Sequence, residues 1–151
     1  MKFLQAIVNP FIRLGEWLQN YFLLAVRLIW GFLFIFPGWS KLIDIKTTSV
    51  NFAKLNIPYP EISAYLAGGA EFFGGILLII GLFSRIASIP LIITMITAYA
   101  TANYEVFSKL SENNQAVFQA APFNFLMASL IVLCFGPGRF SLDSAFGIER
   151  K

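Results

Sequence analysis

The chain has 151 residues, of which 58% are hydrophobic, 17% aromatic and only 13% charged, with a mean hydropathy of +0.72. That balance excludes an ordinary soluble domain and predicts a polytopic membrane protein built as one domain over residues 1–151. A net charge of +3 without a basic run does not suggest nucleic acid, and no such partner is expected.

The chain contains no histidine, which removes the usual haem ligand and the commonest zinc ligand, and no metal site is expected. Cys134 is the one cysteine, so no thiol pair can form within the chain. It lies in an apolar run and is expected to be chemically silent.

Residues 1–19, MKFLQAIVNPFIRLGEWLQ, carry a short apolar patch interrupted by Asn9, Pro10 and Arg13, with no small-residue cleavage site after it, so a signal peptide is not expected. Phe11, Leu14 and Leu18 repeat at helical spacing. The segment reads as a short interfacial helix with Trp17 as its headgroup-level anchor.

Four apolar runs follow, at about 21–39, 62–83, 86–104 and 120–137. In the first, Arg27, Gly31, Phe34, Gly38 and Lys41 share one face, which therefore holds a cation, two glycines and a terminal lysine. Residues 40–61 hold three lysines and two acids and read as a surface loop, closed by an extended Pro58-Tyr59-Pro60 step. Phe52, Leu55 and Ile57 suggest a short amphipathic turn folded over the mouth of the helices.

The run 62–83, ISAYLAGGAEFFGGILLIIGLF, is the centre of the chain. At ~1.5 Å per residue it spans roughly 33 Å, enough for a hydrocarbon core of about 30 Å. Glu71 lies near its middle, where an ionised, lipid-facing acid costs on the order of 2 to 4 kcal/mol, so it should face protein and have a partner. Ala67, Ala70, Gly74 and Gly81 form a small-residue stripe that lets a second helix approach closely. Arg27, on the preceding antiparallel helix, is the expected partner, directly or through a polar bridge.

The third run begins after a tight turn at Ser84-Arg85 and carries a stripe of Ala87, Thr94, Ala98 and Thr101, with Thr97 and Ala102 beside it. Threonines in such helices usually bond their own backbone. Residues 105–119 read as a polar loop, and the fourth run, with Asn124 and Ala128 on one face, ends at the breakers Gly136-Pro137-Gly138. Lys2, Arg13, Arg85, Arg139, Arg150 and Lys151 on one side outnumber Lys41, Lys46, Lys54 and Lys109 on the other. Both termini are therefore expected on the cytoplasmic side.

The predicted fold is all-α, an integral membrane four-helix bundle running up and down, with the short interfacial helix at its N-terminus. The segments RLIWGFLFIFPGWSKL, AEFFGGILLIIGLFSRIAS and GPGRFSLD, in that order, resemble the DoxX family of small four-span membrane proteins. The motif residues are Arg27, Gly31, Gly38 and Lys41, then Glu71, Gly74, Gly75, Gly81 and Arg85, then Gly136, Pro137, Gly138, Arg139 and Asp143. The resemblance implies a subunit in the cytoplasmic membrane of a bacterium or archaeon, in a family named after a quinone-linked sulfur oxidation system.

Two functional readings stand beside that resemblance. One is a redox subunit that binds a quinone or similar lipophilic molecule between its helices, with Arg27, Glu71, Lys41, Asn124 and Tyr99 as the candidate polar residues. Without a haem ligand, a thiol pair or a dinucleotide fingerprint, such a subunit has no cofactor of its own beyond a bound quinone and takes electrons from a partner subunit. The other is a non-catalytic scaffold that binds membrane lipid and docks a soluble redox enzyme. A transporter is a third idea, and it would need a homo-oligomer to enclose a path.

Overall fold

The computed structural model describes residues 2–108 and 114–148, and every regular element among them is helical. Residues 109–113, in the middle of the expected polar loop, and Arg150 and Lys151 of the basic count lie outside the described residues.

Helix α1 (Lys2–Ile43) is one helix of 42 residues. The separate interfacial helix expected over residues 1–19 is therefore corrected: it is the first part of α1. No breaker stands near the expected junction, and Asn20 keeps its amide inside the helix by donating from Nδ2 to the Glu16 carbonyl at 3.0 Å. Pro10 lies within the helix as well.

Helix α2 (Ile45–Lys54) occupies what was read as loop and is capped by Asp44, whose side chain accepts from the Thr47 N–H. Between α2 and α3 (Pro60–Ile80) the chain turns through left-handed backbone at Asn56 and Tyr59, with φ of +56° and +47°, so the step expected to be extended is a tight turn. Helix α3 stops at Gly81, whose φ of +70° ends the helical ladder. That is earlier than the expected end at Phe83.

Helix α4 (Ser84–Ala100) follows directly. Short helices α5 (Tyr104–Ser108) and α6 (Asn114–Gln119) stand where the sequence suggested only loop, then come α7 (Ala121–Phe135) and α8 (Leu142–Ala145). Among the described residues, α1 and α3 are long and apolar enough to cross a membrane, and α4 and α7 are shorter apolar helices of 17 and 15 residues.

Glycines fix the register of α1 against antiparallel α3. A Cβ on Gly31 would lie 2.8 Å from the Gly75 carbonyl oxygen, and one on Gly75 would lie 2.6 Å from that of Gly31. One on Gly38 would collide with the Phe72 nitrogen, and one on Gly68 would meet Leu42 and Lys41. The two backbones approach so closely that only hydrogen fits between them. Arg27 consequently faces Gly81, and Gly38 faces Glu71.

Phe34, Leu78, Leu91, Ala128 and Val132 form the apolar core, to which α1, α3, α4 and α7 all contribute. The outer faces are apolar too: Phe32, Phe36, Phe73, Ile86 and Ile93 are each more than half exposed, while Arg27, Glu71 and Asp143 are among the most buried residues. Large exposed apolar area around buried charge is the reverse of a soluble protein's arrangement and suits a lipid surround.

Candidate functional site

Lys41 ends the glycine-lined face of α1, and Glu71 lies on α3 at the level of Gly38. Lys41 Nζ donates to Glu71 Oε2, forming an ion pair in which the Glu71 side chain is 3% exposed and that of Lys41 25%. The close approach at Gly38 and Gly68 makes this pairing possible, because each glycine precedes its charged neighbour by one helical turn.

The pair lies in a cavity of about 510 Å³ lined by α2, α3 and α4 together with Lys41 of α1. Phe52, Leu55 and Ile57 cover it from the α2 side, as the sequence suggested, and Leu66, Ala67 and Ala70 of α3 form a second wall. Pro90, Ile93, Thr94, Thr97, Ala98 and Thr101 form the α4 wall. The threonine hydroxyls there are committed to their own helix: Thr94 donates to Pro90 O at 2.9 Å, Thr97 to Ile93 O at 2.9 Å and Thr101 to Thr97 O at 2.7 Å. Ser63 likewise donates to Pro58 O at 2.7 Å. Lys41 and Glu71 are the charged groups of an otherwise neutral, mostly apolar chamber.

Arg27 does not pair with Glu71, which corrects the sequence expectation. The register places it about three helical turns away, since Arg27 and Gly38 are eleven residues, or ~16 Å, apart on α1. Its guanidinium, 1% exposed, instead donates from Nη1 to Pro137 O at 2.5 Å and from Nη2 to Phe140 O at 2.7 Å.

The same end of the molecule holds Asp143, whose two carboxylate oxygens accept from the Phe83 N–H at 2.7 Å and the Ser84 N–H at 3.0 Å. Phe83, the residue before α4, supplies no cap of its own, so Asp143 caps that helix from a distant part of the chain. Arg85 reaches the carbonyls of Leu133 and Cys134 at the end of α7. Arg27, Arg85 and Asp143 thus lock α1 and the start of α4 to the end of α7 and the segment after it.

The other candidates also lie outside the cavity. Tyr99 is buried and donates from its hydroxyl to Val117 O at 2.8 Å, tying α4 to α6. Asn124 is exposed on α7. Of the five expected residues, the structure brings together Lys41 and Glu71. Asp143 had no signal in the sequence beyond the family motif, because its role depends on a contact sixty residues away.

The family model described as DoxX matches residues 22–104, more than half of the chain and the part that builds both the cavity and the Arg27 end of α1. The "Uncharacterized membrane protein Rv3486" of Mycobacterium tuberculosis is 28% identical over 127 residues, covering 80% of this chain and 78% of that protein. The "Putative oxidoreductase CatD" of Bacillus subtilis is 32% identical over 78 residues, 52% of this chain and 57% of its own length. No solved structure matches. With its buried charges, apolar exterior and family match, the chain belongs to the DoxX family of membrane proteins.

Proposed function

We propose that the protein crosses the membrane four times, through α1, α3, α4 and α7, and holds a lipophilic molecule of the quinone class in the cavity over Lys41 and Glu71. The observation that carries this reading is the chamber itself, whose size falls within the roughly 300–1,000 Å³ typical of ligand pockets and whose apolar walls hold one ion pair. A quinone has that shape of chemistry: an apolar body and ring oxygens that accept hydrogen bonds.

The name of the Bacillus subtilis relative supports a redox setting. This chain has no histidine and one cysteine, so in such a setting a partner subunit supplies the electrons and this one positions the lipophile. Lys41 would hold a ring oxygen, and Glu71 would keep Lys41 in place. Both termini would lie on the cytoplasmic side, at the end closed by Arg27 and Asp143.

The test is lipid extraction and mass spectrometry of the protein purified in mild detergent. A stoichiometric quinone that is lost in Lys41→Met supports the reading. Recovery of phospholipid alone would favour the scaffold. Orientation is checked in a Cys134→Ala background: a cysteine at Thr47 should react with an impermeant reagent outside intact cells, and one at Ser144 should not.

A further inference from the structure

The cavity carries information about which lipophile it accepts, and the inference here rests on the ligand site just proposed. Lys41 contributes one positive charge and Glu71 one negative, and the other lining residues are neutral. The chamber is therefore electrically balanced before anything enters. Among the described residues, Lys41 is the donor to Glu71 Oε2, and Glu71 Oε1 has no donor. One lysine nitrogen with protons to spare and one free carboxylate oxygen are what an entering head group meets.

From this we infer that the site selects lipophiles whose head group carries no net charge and accepts a hydrogen bond, such as a quinone or a phenol, and that Glu71 excludes fatty acids and other anionic amphiphiles.

An entering carboxylate or phosphate would bring a second negative charge beside Glu71 with only Lys41 to offset both. In a low-dielectric chamber an unpaired charge costs several kcal/mol. The hydroxyl protons that could solvate an extra anion are already given to helix carbonyls at Pro90, Ile93 and Thr97, and at Pro58. A cationic amphiphile meets the converse obstacle, since Lys41 already occupies Glu71 Oε2. A neutral oxygen that accepts from Lys41 leaves the pair intact. Glu71 is thus a positioning and selectivity residue. It sets the sign of the site while Lys41 supplies the donor.

The experiment compares two probes, a decyl-substituted benzoquinone and palmitate, on the protein in phosphatidylcholine nanodiscs at about pH 8, where a fatty acid free in water is ionised. The wild type should bind the benzoquinone at least tenfold more tightly than palmitate. Glu71→Gln leaves Lys41 uncompensated, so palmitate affinity should rise at least tenfold over wild type. Should that variant fail to give a folded protein, Lys41→Gln with Glu71→Gln restores neutrality and should still reject palmitate.

A wild type that takes palmitate as well as or better than the benzoquinone would overturn the charge rule while leaving the ligand site standing. So would a Glu71→Gln variant with unchanged preference, or a double variant that gains palmitate. If neither probe binds the wild type, the ligand site falls and this inference falls with it.

Discussion

Gly38 of α1 and Glu71 of α3 lie so close that a Cβ built on the glycine would sit 2.9 Å from the Cβ of the glutamate and closer still to the Phe72 backbone nitrogen. The obstructing atoms are backbone and a Cβ fixed to it, which cannot rotate away. Gly38→Ala should therefore push the two helices apart and pull Lys41 off Glu71, at a cost of about 1–3 kcal/mol from overpacking. Gly69→Ala is the control, since a Cβ there meets nothing within 4 Å. Thermal unfolding in detergent should show a lowered midpoint for the first and no loss for the second.

The Lys41–Glu71 pair should behave asymmetrically. Lys41→Met leaves a carboxylate that is almost fully enclosed without its cation, and breaking a buried pair in that way costs roughly 3–5 kcal/mol. Glu71→Gln leaves a lysine that is a quarter exposed and can extend its ammonium toward water, so its cost should be smaller. The double variant Lys41→Met with Glu71→Gln should recover about 1 kcal/mol or more relative to the sum of the two. Strict additivity on thermal stability would show that the two charges do not interact.

The sequence made the ingredients of this site legible but not their pairing. Composition alone supported the helical membrane class, and the glycine spacing marked the faces of α1 and α3 that meet. Glu71 was recognisable because a lone acid in an apolar run needs a partner. The choice of partner depended on register, and counting residues from the ends of two spans could not resolve Arg27 from Lys41. The glycine contacts place Arg27 at the level of Gly81 and Gly38 at the level of Glu71, ten residues away along α3. What decides the pairing is that Gly38 faces Glu71 and Gly68 faces Lys41, which sets the two charges one helical turn apart across the interface. The lid helix α2 was visible only as three apolar residues in a polar stretch.

Arg27 should act independently of the cavity. Its two hydrogen bonds run to Pro137 and Phe140, and each charge-assisted bond is worth about 1.5–3 kcal/mol. Arg27→Ala should loosen the segment from Gly136 onward, seen as faster hydrogen exchange at Asp143 and its neighbours. Because Arg27 and Glu71 share no partner among the described residues, Arg27→Ala and Glu71→Gln should add within about 0.5 kcal/mol in a double-mutant cycle. A coupling well above that would restore the pairing that the sequence suggested.

The lid over the cavity should open on acidification, and Asp44 is the group responsible. Hydrogen bonding from Thr47, through its side chain first and its backbone N–H second, holds the Asp44 carboxyl below the ordinary carboxylate range. The Thr47 N–H lies 3.1 Å from Asp44 Oδ1 at the start of α2. A carboxylate whose folded pKa is depressed stabilises the fold at any pH above its unfolded value and loses that contribution as pH falls through the folded one. Protonation removes the charge from the cap, so residues 45–54 should lose protection as the pH drops below about 4. Hydrogen exchange of these residues, corrected for the intrinsic rate at each pH, measures it. Asp44→Ala should leave the lid frayed at every pH. Asp44→Asn, which can still cap through its side-chain oxygen, should keep the lid closed and its protection level with pH. If Asp44→Asn opens over the same acid range as the wild type, the proton that opens the lid binds elsewhere.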